Sequence, residues 1–228
     1  MSAGAAGEDP GPYTIRRAPE ALGDPSADAG RALWSAADEL EVIHYVWPDS
    51  GHRPRTRARL LWDDGWLAVL FVVDDRYVRA VARRFNDSVC HDSCVEFFVA
   101  PAADPAEDAY FNFEVNCGGT MLLYRCGAAT VEVPEADGAT IAMAHTQPKI
   151  VDPEIVGPTT WAVEYHVPWS LFEKHFGPVT PSAGAVWRAN FYKCGDRTSH
   201  PHWGSWAPVD SPRPNFHLPA SFHPIHFA

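Results

Sequence analysis

The 228-residue sequence contains no apolar run close to the roughly 18 residues that a membrane-spanning helix requires, so we expect no membrane-spanning helix. Basic side chains are also scarce: 18 Lys and Arg stand against 29 Asp and Glu, which gives a formal net charge of −11. This balance argues against nucleic acid and against an anionic membrane as partners, because both bind basic patches. The N-terminus lacks the basic start and apolar core of a secretory signal. We therefore expect a cytoplasmic protein, or a secreted one if a leader has been removed.

Cysteine usage and the frequent turn residues narrow the class further. The five cysteines are an odd number in a chain of this size, which favours reduced thiols over a disulfide framework. The 21 prolines and 16 glycines interrupt the chain every few residues and exclude a protein of long helices. At 46% hydrophobic residues the chain can form a core. We predict a disordered tail over residues 1–12 and one domain over residues 13–228.

Short β-runs separated by turn residues dominate the pattern, which is typical of an all-β sandwich or barrel. Asp63-Asp64-Gly65 and Cys117-Gly118-Gly119 each predict a hairpin. Ser170 can cap a short helix over Leu171–Phe176, and a second helix is predicted within Asp28–Ala37. The further predicted strands are Glu41–Trp47, Cys94–Ala100, Ile141–Ile150, Trp161–Val167, Trp187–Cys194 and, as a closing edge strand, Ile225–Phe227.

Strand alternation places several polar side chains on one sheet face. Three strands contribute to it Glu96, Asn112, Glu114, Asn116, Asn190 and Tyr192. Carboxylates and amides bind hydroxyl groups in fixed geometry, and aromatic rings cover the apolar face of a sugar ring. Such a face suits a neutral polyhydroxylated ligand, and its alternative interpretation is a solvated outer sheet face.

Several segments, in this order, resemble the family 9-like carbohydrate-binding modules of the DOMON-like superfamily. They are DSCVEFFVAP (Asp92–Pro101), YFNFEVNCGGT (Tyr110–Thr120), WAVEYHVPWSLF (Trp161–Phe172), WRANFYKCGD (Trp187–Asp196), HPHWGSWAPV (His200–Val209) and PNFHLPASF (Pro214–Phe222). The resemblance runs from about Pro12 to the C-terminus. It implies a two-sheet antiparallel β-sandwich, immunoglobulin-like or DOMON-like, with one or two short helices.

The resemblance also implies a site that holds the reducing end of a sugar chain between two aromatic rings. The family's acidic contact falls on Glu96, and one stacking aromatic falls on Phe216. The second stacking position falls near Val89, which carries no ring, so that Trp203 or Trp206 would have to supply it. The family's two arginines fall at Glu114 and near His200, and its glutamine falls near Tyr192; all three positions therefore depart from the family pattern.

We therefore predict a non-catalytic module that binds a mono- or oligosaccharide. The predicted ligand-binding residues are Glu96, Glu114, Asn116, Tyr192, His200 and Arg213 as polar contacts, with Trp203 and Phe216 as stacking surfaces. The alternative is a sugar- or small-molecule-modifying enzyme, because Glu, Tyr and His are side chains capable of acid–base chemistry.

Cofactor and metal interpretations are weaker than the sugar interpretation. Calcium is an open alternative, with Asp74-Asp75 or Asp104–Asp108 as donors, although neither forms a calcium-loop motif. His200, His202 and His217 with the two glutamates offer a transition-metal set, and the competing interpretation is hydrogen-bonded loop histidines. Cys90 and Cys94 lack a second cysteine pair at zinc-ribbon spacing, and Cys94 is expected to be a buried small residue. A haem site would need Met121 with a C-terminal histidine.

Overall fold

The computed structural model describes residues 10–104 and 108–228, so residues 1–9 of the predicted tail lie outside the described residues. Two α-helices are present in that part of the chain, α1 (Glu135–Gly138) and α2 (Trp169–Phe176), with short 3-10 helices at Ala32–Ala36, Val89–His91 and Pro219–Ser221. The strands are β1 (Tyr13–Arg17), β2 (Glu39–Val42), β3 (Arg55–Trp62), β4 (Trp66–Ala80), β5 (Cys94–Ala100), β6 (Tyr110–Asn116), β7 (Met121–Cys126), β8 (Val131–Glu132), β9 (Ala142–His145), β10 (Val151–Pro168), β11 (Val186–Cys194), β12 (Trp203–Ser205) and β13 (His223–Phe227).

The strands pair in the order β8-β7-β6-β5-β11-β13-β1-β3-β4-β10-β9, with β12 beside β11 and β2 beside β3. Neighbours are antiparallel except around β1, which pairs in parallel with both β13 and β3. The chain is therefore all-β, as predicted. The prediction of two separate sheets is not confirmed, because β1 joins both halves into one continuous hydrogen-bonded sheet.

The sheet curls around a core of aromatic and branched side chains. Rings from distant strands meet across it: Phe113 of β6 lies 5.9 Å from Tyr165 of β10, and Phe71 of β4 lies 6.2 Å from Phe191 of β11. All four rings are fully buried. Burial of large aromatic side chains dominates core energetics, so these contacts hold the two halves of the sheet together.

Local turn chemistry explains both predicted hairpins, and both are confirmed. Between β3 and β4, the Asp63 carboxylate accepts hydrogen bonds from the backbone N–H groups of Gly65 and Trp66, at 2.8 and 2.9 Å. This Asx turn is the reason that Asp initiates a tight reversal. Between β6 and β7, Gly119 has a φ of +73°, a conformation that glycine adopts without strain.

Long-range pairing corrects several strand boundaries. The predicted strand Trp161–Val167 is the end of the 18-residue β10, which pairs along the whole length of β4 despite Pro153 and Pro158. Two register shifts in that pairing accommodate the prolines. The C-terminal β13, predicted as an edge strand, instead lies between β11 and β1. Among the described residues, no helix is long and apolar enough to span a membrane.

Helix α2 begins two residues earlier than predicted. Its first residue is Trp169, and its N-cap is Pro168 rather than Ser170. The helix starts there because β10 remains paired with β4 as far as Pro168. It buries Trp169 and Phe172 against the core and ends at Phe176, and its C-cap is Gly177, whose φ is +83°.

Candidate functional site

Three adjacent strands bring a row of polar side chains to one sheet face. Glu96 of β5 lies directly opposite Glu114 of β6 on one side and Tyr192 of β11 on the other. Residues two positions along each strand share this face because strand side chains alternate. The next row contains Asn116, Cys94 and Cys194. This is the face that the alternation of the sequence predicts.

A pocket of about 180 Å³ covers this row. Strand β12 and the loop over residues 214–217 form its rim. The lining residues are Cys90, Glu96, Glu114, Cys194, Asp196, Trp203, Pro214, Asn215, Phe216 and His217. Four of the eight predicted ligand-binding residues therefore meet around one cavity.

The two glutamates at the base of the pocket are almost fully buried, with 3% of Glu96 and 6% of Glu114 exposed. Burial raises the pKa of Glu114 to about 7. Burial and the neighbouring Glu114 together raise the pKa of Glu96 well above its ordinary value. A protonated carboxyl donates and an ionised one accepts, so near neutral pH the pair offers both functions to a hydroxyl group.

Neutral groups supply the hydrogen bonds of these carboxyls. The Cys194 thiol donates to Glu96 Oε1 at 3.1 Å, and the side-chain amide of Asn112 donates to Glu114 Oε1 at 2.9 Å. A third carboxylate, Asp196, accepts from the indole Nε1 of Trp203 at 2.7 Å. Burial raises the pKa of Asp196 as well. Three acidic groups thus share one small cavity.

The two predicted stacking residues are placed differently. Trp203 on β12 is partly exposed at the rim, and its hydrogen bond to Asp196 fixes its orientation. Phe216 is mostly buried, and one face of its ring stacks on Tyr192 at 4.1 Å between centroids. The Tyr192 hydroxyl also donates to the carbonyl of Phe216. Tyr192 is fully buried and supports Phe216 instead of lining the pocket.

The remaining predicted residues do not line the cavity. The Asn116 amide donates to Asp92 and its carbonyl accepts from Gly118 and Thr120, which orders the turn after β6. His200 stacks on Tyr77 at 3.5 Å between ring centroids. Arg213 is exposed and does not line the pocket. Direct ligand contacts from Asn116, His200 and Arg213 remain predictions that this arrangement does not favour.

Neither Asp196 nor Asn215 was predicted as a pocket residue, and His217 was predicted only as a candidate metal ligand together with the two glutamates. Asp196 lies two residues beyond Cys194, the last residue of β11, so extending the alternation of that strand could have predicted it as a pocket residue. Asn215 and His217 belong to an irregular loop, and no periodicity in the sequence predicts which way such a loop points.

Two groups of candidate metal ligands occur among the described residues: Cys94 with Glu96 and Cys194, and Cys90 with His91 and Asp196. Within each group the donor atoms lie within 4.8 Å of one another. Neither group contains the predicted histidines: His202 binds Lys193, and His217 contacts the Tyr110 hydroxyl.

Both aspartates of the first calcium candidate already have cationic partners. Asp74 binds Arg57 at 2.9 Å, and Asp75 contacts His52 and Lys193. The second calcium candidate, Asp104–Asp108, lies partly outside the described residues.

Comparisons with known proteins concern the family and the fold of the chain. The model of carbohydrate-binding family 9 matches residues 31–227. A candidate carbohydrate-binding protein from Bacteroides uniformis ATCC 8492, known from a crystal structure, shares 28% sequence identity with this chain. The match covers 96% of this chain and 99% of the other chain, and the two structures superpose with a TM-score of 0.85. A search of curated proteins found no match.

Two further similar structures are of a family 9 carbohydrate-binding module from Caldicellulosiruptor kristjanssonii. In the complex with cellotriose, the module shares 14% sequence identity with this chain and superposes with a TM-score of 0.63. The match covers 94% of this chain and 92% of the other chain. In the complex with glucose, the sequence identity is also 14% and the TM-score is 0.61. The match covers 95% of this chain and 96% of the other chain. At this identity the similarity establishes the fold.

Proposed function

Because the chain belongs to carbohydrate-binding family 9, we propose that it binds a mono- or oligosaccharide, without cleaving it, in the pocket over β5 and β6. The proposal rests on one observation, which is that the buried carboxyls of Glu96 and Glu114 line the same cavity as the partly exposed indole of Trp203. Carboxyls bind sugar hydroxyls, and an aromatic ring covers the apolar C–H face of the sugar.

The size of the cavity suits one sugar ring. About 180 Å³ is below the range of about 300–1,000 Å³ that is typical of sites for drug-sized ligands. A terminal ring would therefore enter the pocket while the rest of an oligosaccharide stays outside. The relatives in complex with glucose and cellotriose support this view. We further propose that the reducing end is the terminus that enters.

A second candidate function is a sugar-modifying enzyme that uses the same pocket. It is favoured by the pKa of Glu114, which burial raises to about 7 and which suits a general acid or base at neutral pH. The substitution Glu96→Gln separates the two functions. An enzyme would lose turnover of an added sugar with its fold intact, whereas a binding module shows no turnover before or after the change.

The finer proposals concern architecture and partners. We propose that the two halves of the curled sheet act as the two layers of a sandwich, supported by the ring contacts between Phe113 and Tyr165 across the core. We also propose that neither nucleic acid nor membrane is a partner, supported by the formal net charge of −11.

Isothermal titration calorimetry with glucose, cellobiose and cellotriose tests the sugar-binding proposal, with each sugar in its free and borohydride-reduced form. A site with one stacked ring and a few hydrogen bonds is expected to bind with micromolar to millimolar affinity. A requirement for the free reducing end would support entry by that terminus. Absence of binding by every sugar in the panel would refute the proposal.

Two tryptophan variants locate the site. Trp203→Ala removes the rim ring and is expected to weaken binding about tenfold, while Trp203→Phe keeps a ring and preserves most of the affinity. Trp66→Ala is the matched control, because Trp66 is also partly exposed but lies on β4, outside the pocket lining. Equal losses in Trp203→Ala and Trp66→Ala would place binding elsewhere.

A further inference from the structure

The charges of the pocket are not balanced within it. Glu96, Glu114 and Asp196 all line the cavity, and no Lys or Arg is among the described residues that do so. The single basic side chain of the lining is His217, whose Nδ1 atom is 2.9 Å from the Tyr110 hydroxyl. Buried carboxylates are normally paired with a cation or coordinate a metal.

The nearby cations do not offset this imbalance. Lys193 follows Tyr192 on β11 and so points to the opposite face, where its Nζ atom lies 2.9 Å from His202 and 3.6 Å from Asp75. His91 and Arg197 lower the pKa of Asp196 only in part, and burial still leaves that pKa raised. The glutamate pair therefore holds protons unless a ligand supplies positive charge, because no lysine or arginine lies in the described lining.

We infer that the pocket accommodates a sugar that carries a protonated amine, a hexosamine such as glucosamine, in preference to the neutral sugar of the same ring. The inference rests on the proposed sugar-binding function and names its ligand class. An ammonium group carries three donors and one positive charge, so it can bind the facing carboxyls of Glu96 and Glu114. Asp196 adds a third acidic group to the same lining. The indole of Trp203 at the rim adds a ring face, and aromatic faces attract cations.

The thiols favour an organic cation over a metal ion. Cys194 donates to Glu96 Oε1, and the Cys94 thiol contacts the Val95 carbonyl at 3.6 Å, so both act as protonated donors. The group of Cys94, Glu96 and Cys194 is nevertheless compact enough to make metal binding an outcome that the test must separate.

The test is calorimetric titration of the whole chain with glucose, glucosamine and N-acetylglucosamine in the presence of EDTA. These sugars share one ring and differ at a single substituent. We expect glucosamine to bind at least about tenfold more tightly than the other two, a difference of about 1.4 kcal/mol. Glucosamine binding near pH 7 should also release protons from the glutamate pair, which is measured as a dependence of the heat on the buffer's ionisation enthalpy.

Two isosteric variants locate the effect. Glu114→Gln removes one carboxylate from the pocket, so the ratio of glucosamine affinity to glucose affinity should fall at least about threefold, toward one. Glu20→Gln changes net charge by the same amount on an exposed loop outside the pocket lining and should keep the wild-type ratio. An equal fall in both variants would overturn the assignment, because it would reflect net charge alone.

The outcomes separate the two proposals. Equal affinity for glucose and glucosamine would overturn the amine preference while leaving sugar binding intact. No binding of any of the sugars would overturn both. A titration with Zn²⁺, without EDTA, completes the test. If Zn²⁺ binds stoichiometrically, if this binding is lost in Cys194→Ser and if Zn²⁺ prevents glucosamine from binding, the amine assignment is overturned in favour of a metal site. Retained glucosamine binding in the presence of Zn²⁺ would support the amine.

Discussion

Replacing Glu114 by glutamine should stabilise the protein at neutral pH and leave its stability almost unchanged in acid. Glu114 is 6% exposed, and burial raises its pKa from 4.5 to about 7. The folded state therefore holds the proton more tightly than the unfolded state. Stability from this proton is fully present below pH 4.5 and is lost as the pH rises through about 7. Glutamine has no proton to lose, so Glu114→Gln lacks this decline.

The structure sets the size of the effect. A tenfold change in proton affinity corresponds to about 1.4 kcal/mol, so the raised pKa of Glu114 gives an upper limit of about 3 kcal/mol. Relaxation around the ionised carboxylate reduces this, and we expect about 1 to 3 kcal/mol, or roughly 2 to 10 °C in Tm for a chain of this length. The glutamine carbonyl can still accept the Asn112 hydrogen bond, so the substitution removes charge without removing that contact.

Thermal unfolding followed by circular dichroism from pH 4.5 to 8 measures the prediction. The quantity of interest is the Tm difference between Glu114→Gln and the wild type, which should grow with pH and level off above about 7. Glu20→Gln, an exposed carboxylate replaced in the same way, should show a flat difference. A flat difference for Glu114→Gln as well would show that Glu114 titrates as an ordinary surface glutamate and would refute the reasoning.

Two further substitutions test charge pairing and hydrogen bonding away from the pocket. Asp75→Asn leaves the fully buried Lys193 without the carboxylate 3.6 Å away, and urea unfolding should show a loss of about 3 to 5 kcal/mol; a loss below about 1 kcal/mol would mean that the pair is not needed. Tyr13→Phe removes the hydroxyl that accepts from the Leu60 N–H at 2.9 Å, and it should cost about 1 to 3 kcal/mol in the same assay. Tyr124→Phe, which loses a bond of 3.4 Å near the surface, should be almost neutral; equal costs for the two tyrosines would contradict the role assigned to burial.

Strand alternation and turn chemistry made much of the fold and the base of the site predictable. Phe111, Phe113 and Val115 alternate with polar residues in the sequence, and the structure buries all three in the core. The same alternation placed Glu96 and Glu114 on the other face. The antiparallel pairing of β5 with β6 then sets them directly opposite each other. Local rules suffice here because each residue's face depends only on its position along its own strand.

The rim of the site could not be predicted in the same way, because loops have no period that fixes the direction of a side chain. His200 and Trp203 are three residues apart, yet the first stacks on Tyr77 while the second lines the pocket. The parallel pairing of β1 with β13 is a further example. It joins Tyr13 to Ile225, near opposite ends of the chain, and no local pattern specifies such a contact.

The two faces of strand β11 differ in how buried charged groups are partnered. On the core side, Lys193 is fully buried but has Asp75 at 3.6 Å, so the fold supplies both charges of the pair. On the pocket side, the next residue, Cys194, offers only a neutral thiol to the buried Glu96. An unpaired buried charge costs several kcal/mol. The chain supplies both charges of the pair in its core, whereas the pocket glutamates avoid this cost by holding protons. A cationic ligand would displace those protons, and this difference favours such a ligand as the partner of the glutamates.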